Sequence, residues 1–158
     1  MLEVFLVPIN YSIRKAVPQD LPGLVSLLKV LFTIEADFSF NEAKQRQGLE
    51  LMLEDSEQRC IMVAELEDKI IAMCTAQLLI TTAEGGKAAL IEDMVVDKDY
   101  RRQGIGQAVL TQIEEWAYEH GARRLELLAD CGNAPALEYY KKLHWKQTQL
   151  ICWHKKPQ

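Results

Sequence analysis

The hexapeptide Arg101-Arg102-Gln103-Gly104-Ile105-Gly106 constrains this chain more than any other stretch. It stands between an apolar, β-rich run ending at Val96 and a helical apolar pattern that begins at Gly104. A helix start leaves backbone N–H groups unpaired and pointing outward, and the helix dipole adds positive potential there. Glycines at 104 and 106 carry no Cβ, so phosphate oxygens can approach the backbone closely. The loop therefore predicts a pyrophosphate site. A dinucleotide fingerprint needs three glycines as G-x-G-x-x-G, and a Walker loop needs Gly-Lys followed by Ser or Thr; neither spacing is present.

The rest of the chain reads as alternating elements without an internal repeat. Residues 11–16 alternate apolar and polar, as a strand does. Asp20 then stands as a cap before Leu21, Leu24, Val25, Leu27, Leu28, Leu31 and Phe32, which recur at helical spacing, with Pro22 in the first turn. A second helix is predicted over 42–53. Runs 60–66 and 70–79, separated by Glu67, Asp68 and Lys69, predict a hairpin, and a strand over 88–96 follows the turn signal Glu84-Gly85-Gly86. After the hexapeptide come a helix over 104–120 ended by Gly121, a strand over 124–129, a helix over 133–143 and a last strand over 145–153. The sum is one domain, residues 1–158, of α+β or mixed-sheet class whose second half is a strand–loop–helix–strand unit.

With 158 residues, 49% of them hydrophobic, the core is large enough to need neither metal nor disulfides. The cysteines at 60, 74, 131 and 152 show no C-x-x-C spacing, so no metal site and no disulfide framework is expected. A net charge of −5 argues against a nucleic-acid partner, which needs a concentrated basic surface, and suits a cationic small molecule. No apolar run is long enough for a membrane span. Residues 1–9 lack a basic leader and a small-residue cleavage site, so the expected location is cytoplasmic.

A basic residue followed after two positions by Gly-x-Gly, here Arg101, Gly104 and Gly106, resembles the acetyl-coenzyme A loop of the GCN5-related N-acetyltransferase (GNAT) superfamily. Two flanking segments strengthen the resemblance. Ile91-Glu92-Asp93-Met94-Val95-Val96-Asp97-Lys98-Asp99-Tyr100 is similar to the strand that precedes the loop, and Asn133-Ala134-Pro135-Ala136-Leu137-Glu138-Tyr139-Tyr140 to the helix that follows the next strand. The close match spans residues 88–145. It implies a GNAT-type acyl-CoA N-acyltransferase fold, a central and mostly antiparallel twisted sheet flanked by helices, with a splayed strand pair that admits the cofactor. Pantetheine would pair with the backbone of Met94, Val95 and Val96, chiefly at Met94 and Val96, as an added strand. Pyrophosphate would rest on the amides of Arg101, Arg102, Gln103, Gly104, Ile105 and Gly106.

Transfer of acetyl to an amine requires a base for the acceptor's proton and an acid for the departing thiolate. Tyr140 aligns with the family's general acid, a phenol protonated at neutral pH; packing at the sheet edge is the other reading. Glu92 resembles the base found on this strand, and period two sets its side chain with those of Met94 and Val96, Asp93 facing away. Its alternative role is to anchor a neighbouring backbone or arginine. Asn133 is a natural N-cap and, by resemblance, a cofactor contact. Where the family often has Gly-Phe after this helix, the chain has His144-Trp145, which leaves the helix-ending conformation open.

Acceptor specificity is expected from the first half, at residues 32–40 and 81–87. There Glu35-Ala36-Asp37-Phe38 offers carboxylates and rings to a cationic amine. The sequence thus reads as an acetyl-CoA-dependent N-acetyltransferase acting on a small-molecule or peptide amine, without metal. A non-catalytic acetyl-CoA sensor is the competing reading. Dimers are common in the family, and a strand over 150–153 would allow a homodimer.

Overall fold

The computed structural model describes residues 9–35 and 37–158, so the expectation for 1–9 lies almost wholly outside the described residues, as does Ala36 of the acidic segment. The chain divides into two compact units, 1–126 and 127–158. In the first, the elements are β1 (Ser12–Lys15), α1 (Leu21–Ile34), α2 (Glu42–Leu53), β2 (Arg59–Leu66), β3 (Lys69–Thr81), β4 (Gly86–Val96), α3 (Ile105–Glu119) and β5 (Ala122–Leu127, whose last residue falls in the second unit). The second unit carries α4 (Ala134–Lys142).

The sheet has the order β1-β2-β3-β4-β5, and the first four strands pair antiparallel. The β2–β3 turn is Glu67-Asp68, both with positive φ (48° and 63°), so Lys69 already belongs to β3. Two such residues make a tight hairpin turn whose twist matches that of the strands. β4 and β5 begin at the same end: Lys87 Nζ donates to His120 O at 3.2 Å and Arg124 pairs with Glu84 at 3.1 Å.

The central strands β2 and β3 are buried on both faces. Ile61, Val63, Met73 and Val95 join Leu24, Val25, Leu27, Leu28 and Leu49 in one core under α1 and α2. The alternate residues Cys60, Met62 and Ala64 are also buried, and α3 packs against β2, β3 and β4 with Ile105, Val109, Leu110, Ile113, Trp116 and Ala117 inward. That spacing of three and four is one helical face.

Asp20 does not cap α1. Its carboxylate turns back to accept from Val17 N at 2.8 Å and from both terminal nitrogens of Arg14 at 2.7 and 3.0 Å, and no side chain caps α1. Arg14, whose Nε donates to Glu65, competes successfully because a charged, bidentate partner outweighs a neutral amide.

The last expected strand is absent: among the described residues, 145–153 make no ladder, and Leu150, Ile151 and Trp153 are 87, 73 and 85% exposed. β-prone composition does not by itself supply a pairing partner. No helix among the described residues is long and apolar enough to cross a membrane.

Candidate functional site

β4 is interrupted three residues before its end. Met73 pairs with Val95 and Thr75 with Glu92, so two steps on β3 face three on β4, and the inserted residue lies at Asp93, whose φ is +49°. A bulge of this kind disturbs strict alternation. Cross-strand partners project to one face, so Glu92 sits with Thr75, Met73 and Val95 rather than with Val96. Asp93 reaches the same side, because its carboxylate bonds the Thr75 side chain. The bulge thus brings to one face two acids that alternation would set apart, which corrects the expected sharing of a face by Glu92 and Val96. The Glu92 carbonyl is approached by the buried Cys74 thiol at 3.7 Å.

Glu92 is exposed, and Asp93 is partly buried with Thr75 beneath it. Burial pushes the Asp93 carboxyl up to about 6, and the negative charges of Glu92 and of Glu35, at the end of α1, push the same way. The Thr75 hydrogen bond opposes them. A carboxyl held near neutrality is suited to proton transfer. Alternation assigned Glu92, not Asp93, to the wrong face; the available signal was the pair of adjacent acids within one strand, which a regular strand cannot point to the same side.

Beyond the bulge, Asp97 N donates to Ile71 O at 2.8 Å. In an antiparallel ladder, neighbouring residues direct their amides to opposite edges, so the N–H and C=O of Val96 face away from β3. Met94, across the bulge from Cys74, lies in the same outward phase, while Val95 pairs with Met73 and is buried. The backbone groups of β4 that turn away from β3 here are therefore those of Met94 and Val96, on its β5 side.

The loop that follows is held by Asp97. Its Oδ1 accepts from Asp99 N at 3.1 Å, its Oδ2 meets Lys69 Nζ at 2.8 Å, and Lys69 also stands 5.0 Å from the Tyr100 ring centroid. Partial burial opposes ionisation of Asp97, but the bonds from Lys69 and Asp99 prevail and hold its carboxyl below the usual range.

Arg101 is extended, while Arg102 and Gly104 adopt left-handed conformations at φ +61° and +78°. Arg102 and Gln103 are exposed, and Ile105, 1% exposed, anchors the loop in the core, leaving only its backbone for a ligand. No side chain caps α3, and a Cβ built on Gly104 would meet nothing within 4 Å. Uncapped amides under open space fit a diphosphate. A cavity of about 490 Å³ adjoins this turn, lined by Ile13, Gly104, Gln107, Ala108, Thr111 and Gln112. It does not extend to Glu92 or Asp93.

Within the second unit, Asn133 caps α4, its Oδ1 accepting from Ala136 N at 3.2 Å. Tyr140 lies in the last turn, its ring 5.4 Å from that of Tyr139 and 6.3 Å from that of Trp145. His144 adopts φ +66°, so it takes the left-handed position that glycine holds more cheaply. Among the described residues no group of three or more His, Cys, Asp or Glu is placed to hold a metal.

The model of the acetyltransferase (GNAT) family matches residues 25–145. An uncharacterized N-acetyltransferase of Methanocaldococcus jannaschii is 24% identical over 95% of this chain and 67% of its own length. Streptothricin acetyltransferase A of Bacillus subtilis is 44% identical over 57 residues, 36% of this chain and 33% of that protein. Among solved structures, an aminoglycoside acetyltransferase from an uncultured soil metagenomic sample is 25% identical with a TM-score of 0.77, covering 94% of this chain and 97% of that one.

Proposed function

The chain belongs to the acetyltransferase (GNAT) family, and from that premise we propose that it moves the acetyl group of acetyl-coenzyme A directly onto a primary amine of a small cationic acceptor. The observation that carries the reading is the uncapped, open start of α3 directly after an outward-facing Val96. In this reading pyrophosphate rests on the amides from Arg101 to Gly106, and pantetheine extends along Met94 and Val96. One acetyltransferase domain spans 1–158, a view supported by a family match that runs through both units.

The acceptor arrives as an ammonium ion. The acids at the bulge favour it by charge, and a carboxylate there takes its proton. Glu92 and Asp93 share that work: Glu92 meets solvent, and Asp93 is held near neutrality. The neutral nitrogen then attacks the thioester carbonyl carbon; the C–N bond forms, the C–S bond breaks, and the thiolate takes a proton from Tyr140. Asn133 contributes by capping α4 and by contact with the cofactor. The relatives named for streptothricin and aminoglycosides support a small-molecule amine over other acceptors.

Thiol release from acetyl-CoA, screened against polyamines, aminoglycosides, amino acids and a lysine peptide, tests the reading. Turnover with a cationic small amine is expected. Saturable acetyl-CoA binding with no turnover on any amine would favour the sensor instead. A homodimer belongs to the same reading, since Leu150, Ile151 and Trp153 present apolar side chains to solvent. Sedimentation that finds only monomer at high concentration would remove it.

A further inference from the structure

Val96 and Arg101 bring two parts of the donor site into competition. The Val96 carbonyl points to the outer edge of β4, where an extended ligand amide would bond it. Arg101 Nε already donates to that carbonyl at 3.1 Å, the one hydrogen bond of this side chain among the described residues. Four residues lie between the two, and the intervening turn is fixed by Asp97 to Lys69 and to Asp99 N–H. The guanidinium is therefore returned to the strand edge by a rigid turn rather than by chance. Its side chain is exposed, so it can leave without opening the core.

A donor amide reaching Val96 meets a carbonyl already engaged in a charge-assisted bond, which is stronger than the neutral bond it would form and competes with it. A pantetheine thioester without phosphates offers the guanidinium nothing in exchange. A diphosphate does, because a planar guanidinium binds phosphate oxygens through two parallel bonds. The backbone of Arg101 opens the loop assigned to the diphosphate, so its side chain can reach either partner.

We propose that Arg101 determines donor specificity, surrendering the Val96 carbonyl only to a pantetheine thioester that carries a diphosphate. The inference rests on the reading of the β4 edge and the following loop as the donor site. It goes beyond that reading by giving Arg101 an inhibitory contact as well as an attractive one.

The test compares acetyl-CoA with S-acetylpantetheine, which lacks the diphosphate, on the full chain and on its Arg101→Met and Arg101→Ala variants, by titration followed in amide NMR spectra. Both variants should bind acetyl-CoA roughly tenfold more weakly and S-acetylpantetheine roughly three- to tenfold more tightly, the range for one hydrogen bond of this type. A purely structural role for Arg101 would weaken both ligands together. That outcome, or unchanged S-acetylpantetheine binding in well-folded variants, overturns the inference while acetyl-CoA binding by the native chain keeps the donor site standing. Failure of the native chain to bind acetyl-CoA overturns the donor site itself and the inference with it.

Discussion

The backbone N–H of Trp145 donates to the carbonyl of Tyr140 at 3.0 Å, and the two rings meet edge-on with centroids 6.3 Å apart. His144 N–H bonds Lys141 O at 3.0 Å, completing a Schellman ending in which the ring contact is the accompanying apolar contact. Tyr140 is thereby oriented by the way its helix stops.

His144 is the strained member of that ending. A left-handed conformation costs an L residue roughly 1–2 kcal/mol, which glycine avoids, though glycine gives back part of this in unfolded-state entropy. His144→Gly should therefore stabilise the protein by roughly 0.5–1 kcal/mol in urea denaturation. A destabilised variant would show that the imidazole has a role the backbone geometry does not reveal.

Tyr140→Phe separates acid chemistry from packing, because it removes only the hydroxyl. The turnover rate should fall roughly 10²- to 10⁴-fold, the range for a positioned acid, while acetyl-CoA affinity changes less than about twofold. Equal loss of binding and turnover would instead mark Tyr140 as a cofactor contact.

Much of this was legible from residue patterns. The period of Leu24, Val25, Leu27 and Leu28 marks α1, and the polar break at Glu67-Asp68 marks the hairpin, because each follows from local burial or turn chemistry. The bulge at Asp93 was hinted at only by two adjacent acids in one strand: an inserted residue depends on the partner strand, and the register of Met73 and Thr75 is what fixes it. The run from Trp145 to Trp153 has strand-forming residues but no ladder, a property that composition cannot decide. The side-chain bond of Arg101 to Val96 is likewise a matter of tertiary geometry, where the sequence suggested only a phosphate contact.

Asp93 should leave a signature in stability as a function of pH. Its folded value, about 6, is raised above the ordinary 3.8 of a free aspartate, so between these limits the folded state binds more protons than the unfolded one. Stability is lost as pH rises through that window and the penalty is complete above about 6, amounting to roughly 2–3 kcal/mol at 1.36 kcal/mol per unit. Asp93→Asn should be more stable than the native chain at pH 8 by an amount that shrinks toward pH 4. Parallel urea curves at pH 4, 6 and 8 would contradict this.

The same carboxyl predicts the pH dependence of catalysis. Activity should fall on the acid side with a midpoint near 6, as the proton acceptor becomes protonated, and Asp93→Asn should lose that limb together with most of the rate. An unchanged acid limb in the variant would transfer the role to Glu92 alone.

Calorimetric titration with acetyl-CoA of the native chain and of Gly104→Val tests the central claim most directly. Gly104 holds φ +78° beneath open space, so a branched side chain both strains the turn and covers the amides that would hold the diphosphate. The account predicts saturable binding by the native chain and its loss in a variant that remains folded. Native protein that is folded, free of bound cofactor and silent toward acetyl-CoA would contradict it.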